Sequence, residues 1–528
     1  MTVTDSALSL LPPLVAIGLA VLTRRVLLSL GLGILVGALL LNGGHPLTTL
    51  GDLASRLLAL FWTLPAADDP GLGAPEAWNL SILGFLLLLG AMVALVTLSG
   101  GTRAFGEWAR RRIRTRRDAQ LMTVVLGAVI FIDDYFNSLA VGNVSRPVTD
   151  RQGVSRAKLA YLIDSTAAPV CVLMPLSSWG AYLISLIGGI LAAHAITGSS
   201  ALGAFVQVSM LNFYAISALL LVIATAALDL NLGAMGRHEA AARQGRVYDS
   251  RRGQPPGNPP VTEHEGGRPR DLLVPIAVLV AGTLIALLVT GARGLTSEGL
   301  PFSLLGAFEQ TDVALSLLVG GLLGLGTTLA LLWSRPAVRA NLPRTLWLGL
   351  GTMWPAIQIL ILAWLLTGLI GELGTGAYLA GLVEGVLAPH WLPILLFLLG
   401  GLMAFATGTS WGTFGILLPI AGDLAAATDL AMLLPMLGAV LAGAVFGDHC
   451  SPISDTTILS STGAACHHID HVITQLPYAG LGALVSLAGY LVVGLSGSPL
   501  WGLLSCLALL ALSIGLLVRR KARLAPQA

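Results

Sequence analysis

Apolar runs of about twenty residues recur along this chain, and their interiors are nearly free of charge. A run of that length and composition crosses the hydrocarbon layer of a bilayer as a helix. Only 11% of the 528 residues are charged, against about 25% in a soluble domain, and the mean hydropathy is +0.83. Length here therefore measures spans rather than soluble domains. The 63 glycines agree, since Gly is commoner in membrane helices than in soluble ones. The expected fold class is an all-α polytopic membrane protein.

The remaining charges lie between the runs and orient them, because Lys and Arg gather on the cytoplasmic side. The run 8–22 ends at Arg24 and Arg25 and enters from outside, and 26–41 returns. The loop 42–79 carries Asp52, Asp68, Asp69 and Glu76 against Arg56 and reads as external. The run 80–100 comes in to an arginine-rich segment, Arg103 to Arg117, that reads as a cytoplasmic surface helix in contact with lipid. The start MTVTDSALSL lacks the basic region of a cleavable signal, so the first run is expected to stay. Orientation accounts for the basic segments, so no nucleic-acid partner is expected. Cys171, Cys450, Cys466 and Cys506 form no CxxC pair, which argues against a disulfide framework or a zinc site.

Two stretches are too short for two crossings, which need about 40 residues, yet have like flanks at both ends. Residues 119–145 lie between arginine-rich segments, and 391–421 lie between stretches without Lys or Arg. Each reads as a re-entrant hairpin, the first from the cytoplasm and turning near Asp133–Asn137, the second from outside with its tip near 404–415. Residues 157–196 and 430–465 are long for single spans and contain prolines flanked by hydroxyls, the mark of a broken helix. Between them, 230–271 is rich in Pro, Gly and Arg and reads as a flexible cytoplasmic linker. The first half, 1–229, starts outside; the second, 272–528, starts inside and ends in a basic tail. That layout is an inverted-topology repeat with two re-entrant hairpins and two broken helices, as in many secondary transporters.

Four polar clusters interrupt the apolar runs. They supply Asp133, Asp134, Asn137 and Ser138; Asp164; Thr409 and Ser410; and Asp448, Ser454, Asp455 and Thr456. A carboxylate at mid-bilayer costs about 2.5–3.5 kcal/mol on insertion scales, so function or a bound cation has to offset it. A hard cation wants carboxylate, hydroxyl, amide and carbonyl oxygens, and helix breaks expose the carbonyls. These eleven residues are the candidate ion- or proton-binding set, with Na+ itself placed at Asp133, Asn137, Asp448, Ser454 and Asp455. The competing reading for any one Ser, Thr or Asp is a helix cap. Trp179 and Trp411 read as packing residues. His467, His468 and His471 read as solvated histidines of a cytoplasmic loop, since no zinc spacing is present.

At FIDDYFNSLAVGNVSRPVTD (131–150), KLAYLIDSTAAPVCVLMPLSSWGAY (158–182), GTSWGTFGILLPI (408–420) and FGDHCSPISDTTILSSTGA (446–464) the chain resembles the NhaC-type Na+/H+ antiporter family of the ion transporter superfamily. The resemblance spans roughly 10–500 and fails in 230–271. It implies two hairpin-plus-broken-helix units around a central site, exchange of Na+ for H+ across a bacterial-type inner membrane, no enzyme activity, and no cofactor beyond the transported ions. Some members are thought to exchange organic acids or amino acids, so a small organic anion stays open as a partner, as does a homodimer. The clusters hold no Lys or Arg to receive a carboxylate, which leans toward a bare cation. HExxH and a P-loop are both absent, which argues against a metalloprotease and an ATP-driven pump.

Overall fold

The computed structural model describes residues 6–23, 25–63, 73–110, 113–131, 134–175, 177–196, 200–257, 261, 264–375, 378 and 389–524. Among them the only strands are Trp62–Thr63 and Ala74–Pro75, an antiparallel pair. The rest is a helical bundle of a multi-pass membrane protein. Seven of the described helices are long and apolar enough to cross a bilayer, or up to nine spans if each of two bent pairs counts as one. The bent pairs are Leu27–Leu41 with Pro46–Ala59, at 117°, and Ala201–Met210 with Phe213–Leu228, at 53°.

The first stretch read as a hairpin is two helices, Arg116–Val129 and Asp134–Arg151. Thr115 and Asp118 close a capping box at its start. Both ends lie together: Arg116 bonds the Gly153 carbonyl, and Gln152 Nε2 donates to the Ile113 carbonyl at 2.8 Å. At the break, the Asn137 amide donates to the carbonyls of Gly127, Ile130 and Thr166, at 2.7, 2.7 and 3.3 Å. It replaces the helix bonds that the break removes, which apolar surroundings require. The second stretch is Leu392–Thr407 and Ser410–Thr428, turning at Gly408 in the left-handed region.

Both long spans with prolines are broken. The first runs Arg156–Asp164, Ala168–Cys171 and Ser178–Ala193, with Ser177 capping the last piece. The second runs Leu433–Cys450, then Asp455–Gly463 after a break at 451–454. The two late breaks touch: a Cβ on Gly408 would stand 2.8 Å from the Ile453 carbonyl oxygen, so only glycine fits. The largest apolar core joins early helices to late ones, with Leu159, Leu183 and Phe213 packed among Leu396, Phe414 and Tyr490.

The segment 230–271 corrects the expectation of a flexible linker. Its described residues form a strap bonded across one end of the bundle. Buried Glu239 accepts from the Ser155 N–H at 2.7 Å and pairs with Arg116. The Val247 carbonyl accepts from Arg156 N at 3.0 Å, and Arg252 pairs with Asp470 at 2.6 Å. Gly257 donates to the Thr352 carbonyl and accepts from Arg146, while His264 donates to the Leu98 carbonyl. The reason is the helix ends. Leu98 closes a helix and Arg156 opens one, so each leaves a backbone group unsatisfied. A strap can satisfy such groups without an apolar core of its own.

Candidate ion-binding site

Asp448 sits near the end of the helix Leu433–Cys450 and is buried. Ser454, in the break that follows, donates to its Oδ1 at 2.5 Å. Ser410, first residue of the helix Ser410–Thr428, donates to Oδ2 from its hydroxyl at 2.7 Å and from its backbone N–H at 3.3 Å. Ser454 also shares a hydrogen bond with Thr456 at 2.9 Å. The two touching breaks thus deliver hydroxyls from both sides onto one carboxylate.

Beside this cluster lies a cavity of about 440 Å³. Asp134, Tyr135, Thr409 and Asp455 line it together with Trp78, Trp364 and Trp411. Three helices begin at its wall, at Asp134, Ser410 and Asp455. Acidic first-turn residues offset the positive dipole end of the first and third, whereas the second has no acid of its own there and its Ser410 N–H meets Asp448 instead. Tyr135 donates to Asp455, and Trp179 Nε1 donates to Asp134 at 3.0 Å.

A second buried carboxylate, Asp164, ends the helix Arg156–Asp164. Its Oδ1 accepts from Ser460 at 3.2 Å, and Ser460 shares a hydrogen bond with Ser138 at 3.1 Å. Its Oδ2 accepts from His471 Nε2 at 3.1 Å and from Gln475 Nε2 at 2.6 Å. Among the described residues, no group of three or more His, Cys, Asp or Glu is arranged to hold a metal ion.

A profile of the Na+/H+ antiporter family matches residues 170–495, more than half of the chain. The chain belongs to the Na+/H+ antiporter family. An uncharacterized protein of Haemophilus influenzae is 47% identical over 502 residues, covering 94% of this chain and 93% of that one. Another Haemophilus influenzae protein, an uncharacterized Na+/H+ antiporter, is 37% identical over 27% of this chain and 30% of its own length. The malate-2H+/Na+-lactate antiporter of Bacillus subtilis is 39% identical over 19% of this chain and 23% of its own. Family membership places this chain among secondary transporters of the membrane rather than enzymes.

The sequence-predicted residues separate into two groups. Ser410, Asp448, Ser454 and Thr456 form one bonded cluster, and Asp134, Thr409 and Asp455 line the cavity next to it. Ser138 and Asp164 belong to the second cluster. Asn137 holds the first break by its nitrogen, and its buried Oδ1 has no donor among the described residues. Asp133 lies outside the described residues. The reading of His468 and His471 as solvated histidines is overturned: both are buried, and His471 bonds a carboxylate. His449 is buried too, between Ser165 at 3.2 Å and Tyr214 at 2.8 Å. One signal could have found His471. An Asp in an apolar run needs donors, and His471 and Gln475 stand four apart at the head of another run, on one helix face.

Proposed function

We propose that this protein exchanges Na+ for H+ across the bacterial inner membrane, with Na+ held at Asp448. The observation that carries this reading is the donor set of Asp448, two hydroxyls from two helix breaks. A hydroxyl keeps two lone pairs, so Ser410 and Ser454 can turn oxygen toward a cation that displaces their hydrogen bonds. Asp455, Thr456, Thr409 and the carbonyls of 451–454 are further oxygens for a hard cation. Asn137 Oδ1 and Asp133 remain candidates from the neighbouring hairpin. When Na+ leaves, a proton on the carboxylate offsets the cost of an unpaired charge. Access from two sides would come from the halves 1–229 and 272–528 in opposite orientation about 230–271. The paired helix breaks support that reading, as does Trp179 meeting Trp411 at 5.7 Å. All the oxygens named come from one copy, so the site does not require a homodimer.

The test is Na+-induced proton movement in reconstituted vesicles. Wild type should respond to Na+, and Asp448→Asn, inserted normally, should not. Wild-type exchange by that variant would place the site elsewhere.

A coupled small organic substrate is the second reading, favoured by the cavity, which is far larger than an ion needs and within the range of small-molecule sites. The cavity's described lining contains no Lys or Arg, so a carboxylate would have to share the helix start at Ser410, whose N–H already meets Asp448. Adding malate or lactate to the same vesicles separates the readings, since only the second expects Na+ movement that depends on them.

A further inference from the structure

We propose that Asp164 and His471 form a second proton-binding site, apart from the Asp448 cation site, that takes up a proton on His471 Nδ1 in each cycle. The inference rests on the Na+/H+ reading above and adds where a further proton travels.

The donors around Asp164 decide its role. His471 Nε2 and Gln475 Nε2 meet Oδ2, and Ser460 meets Oδ1. A carboxylate ringed by donors serves as an acceptor and stays ionised. Its neighbour His471 must then carry hydrogen on Nε2, which leaves Nδ1 a bare lone pair. That atom is buried and has no partner among the described residues, and Gln475 Oε1 is a second buried acceptor without a donor. The cluster is therefore short of hydrogen. A proton arriving from water forms an N–H bond at Nδ1 and makes an imidazolium directly against the carboxylate. On release that bond breaks, and Asp164 keeps its Ser460, Gln475 and Nε2–H donors. Both states are supported, as a proton carrier requires.

The other buried histidines are not equivalent. His449 has both ring nitrogens engaged, by Ser165 and Tyr214. His468 has both engaged as well, by Ser461 at 3.2 Å and the Pro452 carbonyl at 2.7 Å. The remaining ionisable groups near this helix are committed or apolar in character. Asp470 on the same helix pairs with Arg252. Lys158 and Tyr161 come from the Asp164 helix, and Lys158 donates to the Leu230 carbonyl and Asn231. Asp448 and Cys450 come from the Leu433–Cys450 helix, and Asp448 is held by Ser410 and Ser454. Asp455 begins the Ser460 helix and accepts from Tyr135. Cys506 shares a hydrogen bond with Ser217, and His390 stands at the far end near Gly494. Gln475 ties the site to the cation cluster, since it also donates to the His449 carbonyl, next to Asp448.

An exchanger with a proton on this pair, besides one that replaces Na+, moves more than one proton per sodium. With membrane potential clamped at zero and a difference of one pH unit, one proton per Na+ gives about tenfold accumulation. The expected result is a wild-type ratio well above that in proteoliposomes, and His471→Gln limited to about tenfold. A wild type that stops at about tenfold, or a variant that equals it above that limit, overturns the proposal. No Na+ accumulation by wild type would instead contradict the antiport reading itself. If His471→Gln does not fold, wild-type protein decides. His471–Val472 is the only His–Val pair in the sequence, so carbon-13 His with nitrogen-15 Val assigns its ring by magnetic resonance. A ring that gains hydrogen on Nδ1 as the medium is acidified is expected; a ring that keeps one form throughout refutes the site.

Discussion

Asp448 and Asp164 are the same residue, equally buried, each at the end of a broken helix, and each meets a different set of neighbours. Asp448 is held by hydroxyls and one backbone N–H; Asp164 is held by an imidazole, a carboxamide and one hydroxyl. Hydroxyls can reverse from donor to acceptor, so the first set can accept a cation in place of its hydrogen bonds. A hydroxyl reverses by rotating about one bond, whereas an imidazole must move its proton to the other nitrogen and a carboxamide must flip end for end, so the second set favours a change in hydrogen count. The chemistry of a buried carboxylate is thus chosen by what donates to it, more than by its depth.

The largest effect expected is at Asp448. Asp448→Asn should lower Na+/Na+ counterflow at equal pH by at least about 100-fold, close to 2.7 kcal/mol. Asp164→Asn should instead impair uptake driven by a pH difference more than it impairs counterflow. If both variants lose counterflow equally, the distinction between the two carboxylates fails. Next in size are the hydroxyls. Ser454→Ala and Ser410→Ala should each raise the half-saturating Na+ concentration about tenfold, the scale of one hydrogen bond to a charged group. Ser460→Ala should leave it nearly unchanged; a tenfold rise there would join the clusters into one site. Gly408→Ala tests how tightly the two breaks meet. The left-handed backbone alone costs about 1–2 kcal/mol for a residue with a Cβ, and the clash with Ile453 adds to it, so thermal unfolding in detergent should move down by several degrees.

The smallest effect concerns the strap. Burial lowers the affinity of His238 and His467 for protons, with Arg252 adding to the effect at His467. The docked strap therefore favours both rings neutral, and the undocked chain takes up protons that the docked one does not. Docking should be full above about pH 6.5, the ordinary His value, and weaken as pH falls through it. Limited proteolysis at Arg243–Arg251 should run faster at pH 5.5 than at pH 7.5. Equal rates would show that these histidines do not contribute. Asp249, held down at about 2 by its hydrogen bonds to Arg251, stays ionised across that range and does not confuse the result.

The sequence carried the apolar spans, the breaks and the Asp448 cluster, because length, proline and oxygen density are local properties. Ser454 and Asp448 stand six apart, and Ser410 fell in a recognisable polar interruption. His471 was illegible for the opposite reason. Its partner is 307 residues away, and alone it sits with two other histidines and Asp470 at the head of an apolar run, where a solvated loop is the simpler account. The strap was misread because composition reports whether a segment can build a core. It does not report whether the ends of other helices need hydrogen-bond partners. SSWGAY (177–182) and TSWGTF (409–414) are alike in sequence, yet nothing local to either says that both begin helices and bring Trp179 and Trp411 together.

The strap also sets a reach. It is fastened to the helix that starts at Arg156 through Val247, and to the helix that starts at His468 through Arg252 and Asp470. Five residue steps separate Val247 from Arg252, a length that even fully stretched covers about 18 Å. While those two fastenings hold, the helix starts cannot drift apart beyond that distance plus one arginine side chain. The strap then works as a leash between those two helices, long enough for small displacements and too short for their starts to part.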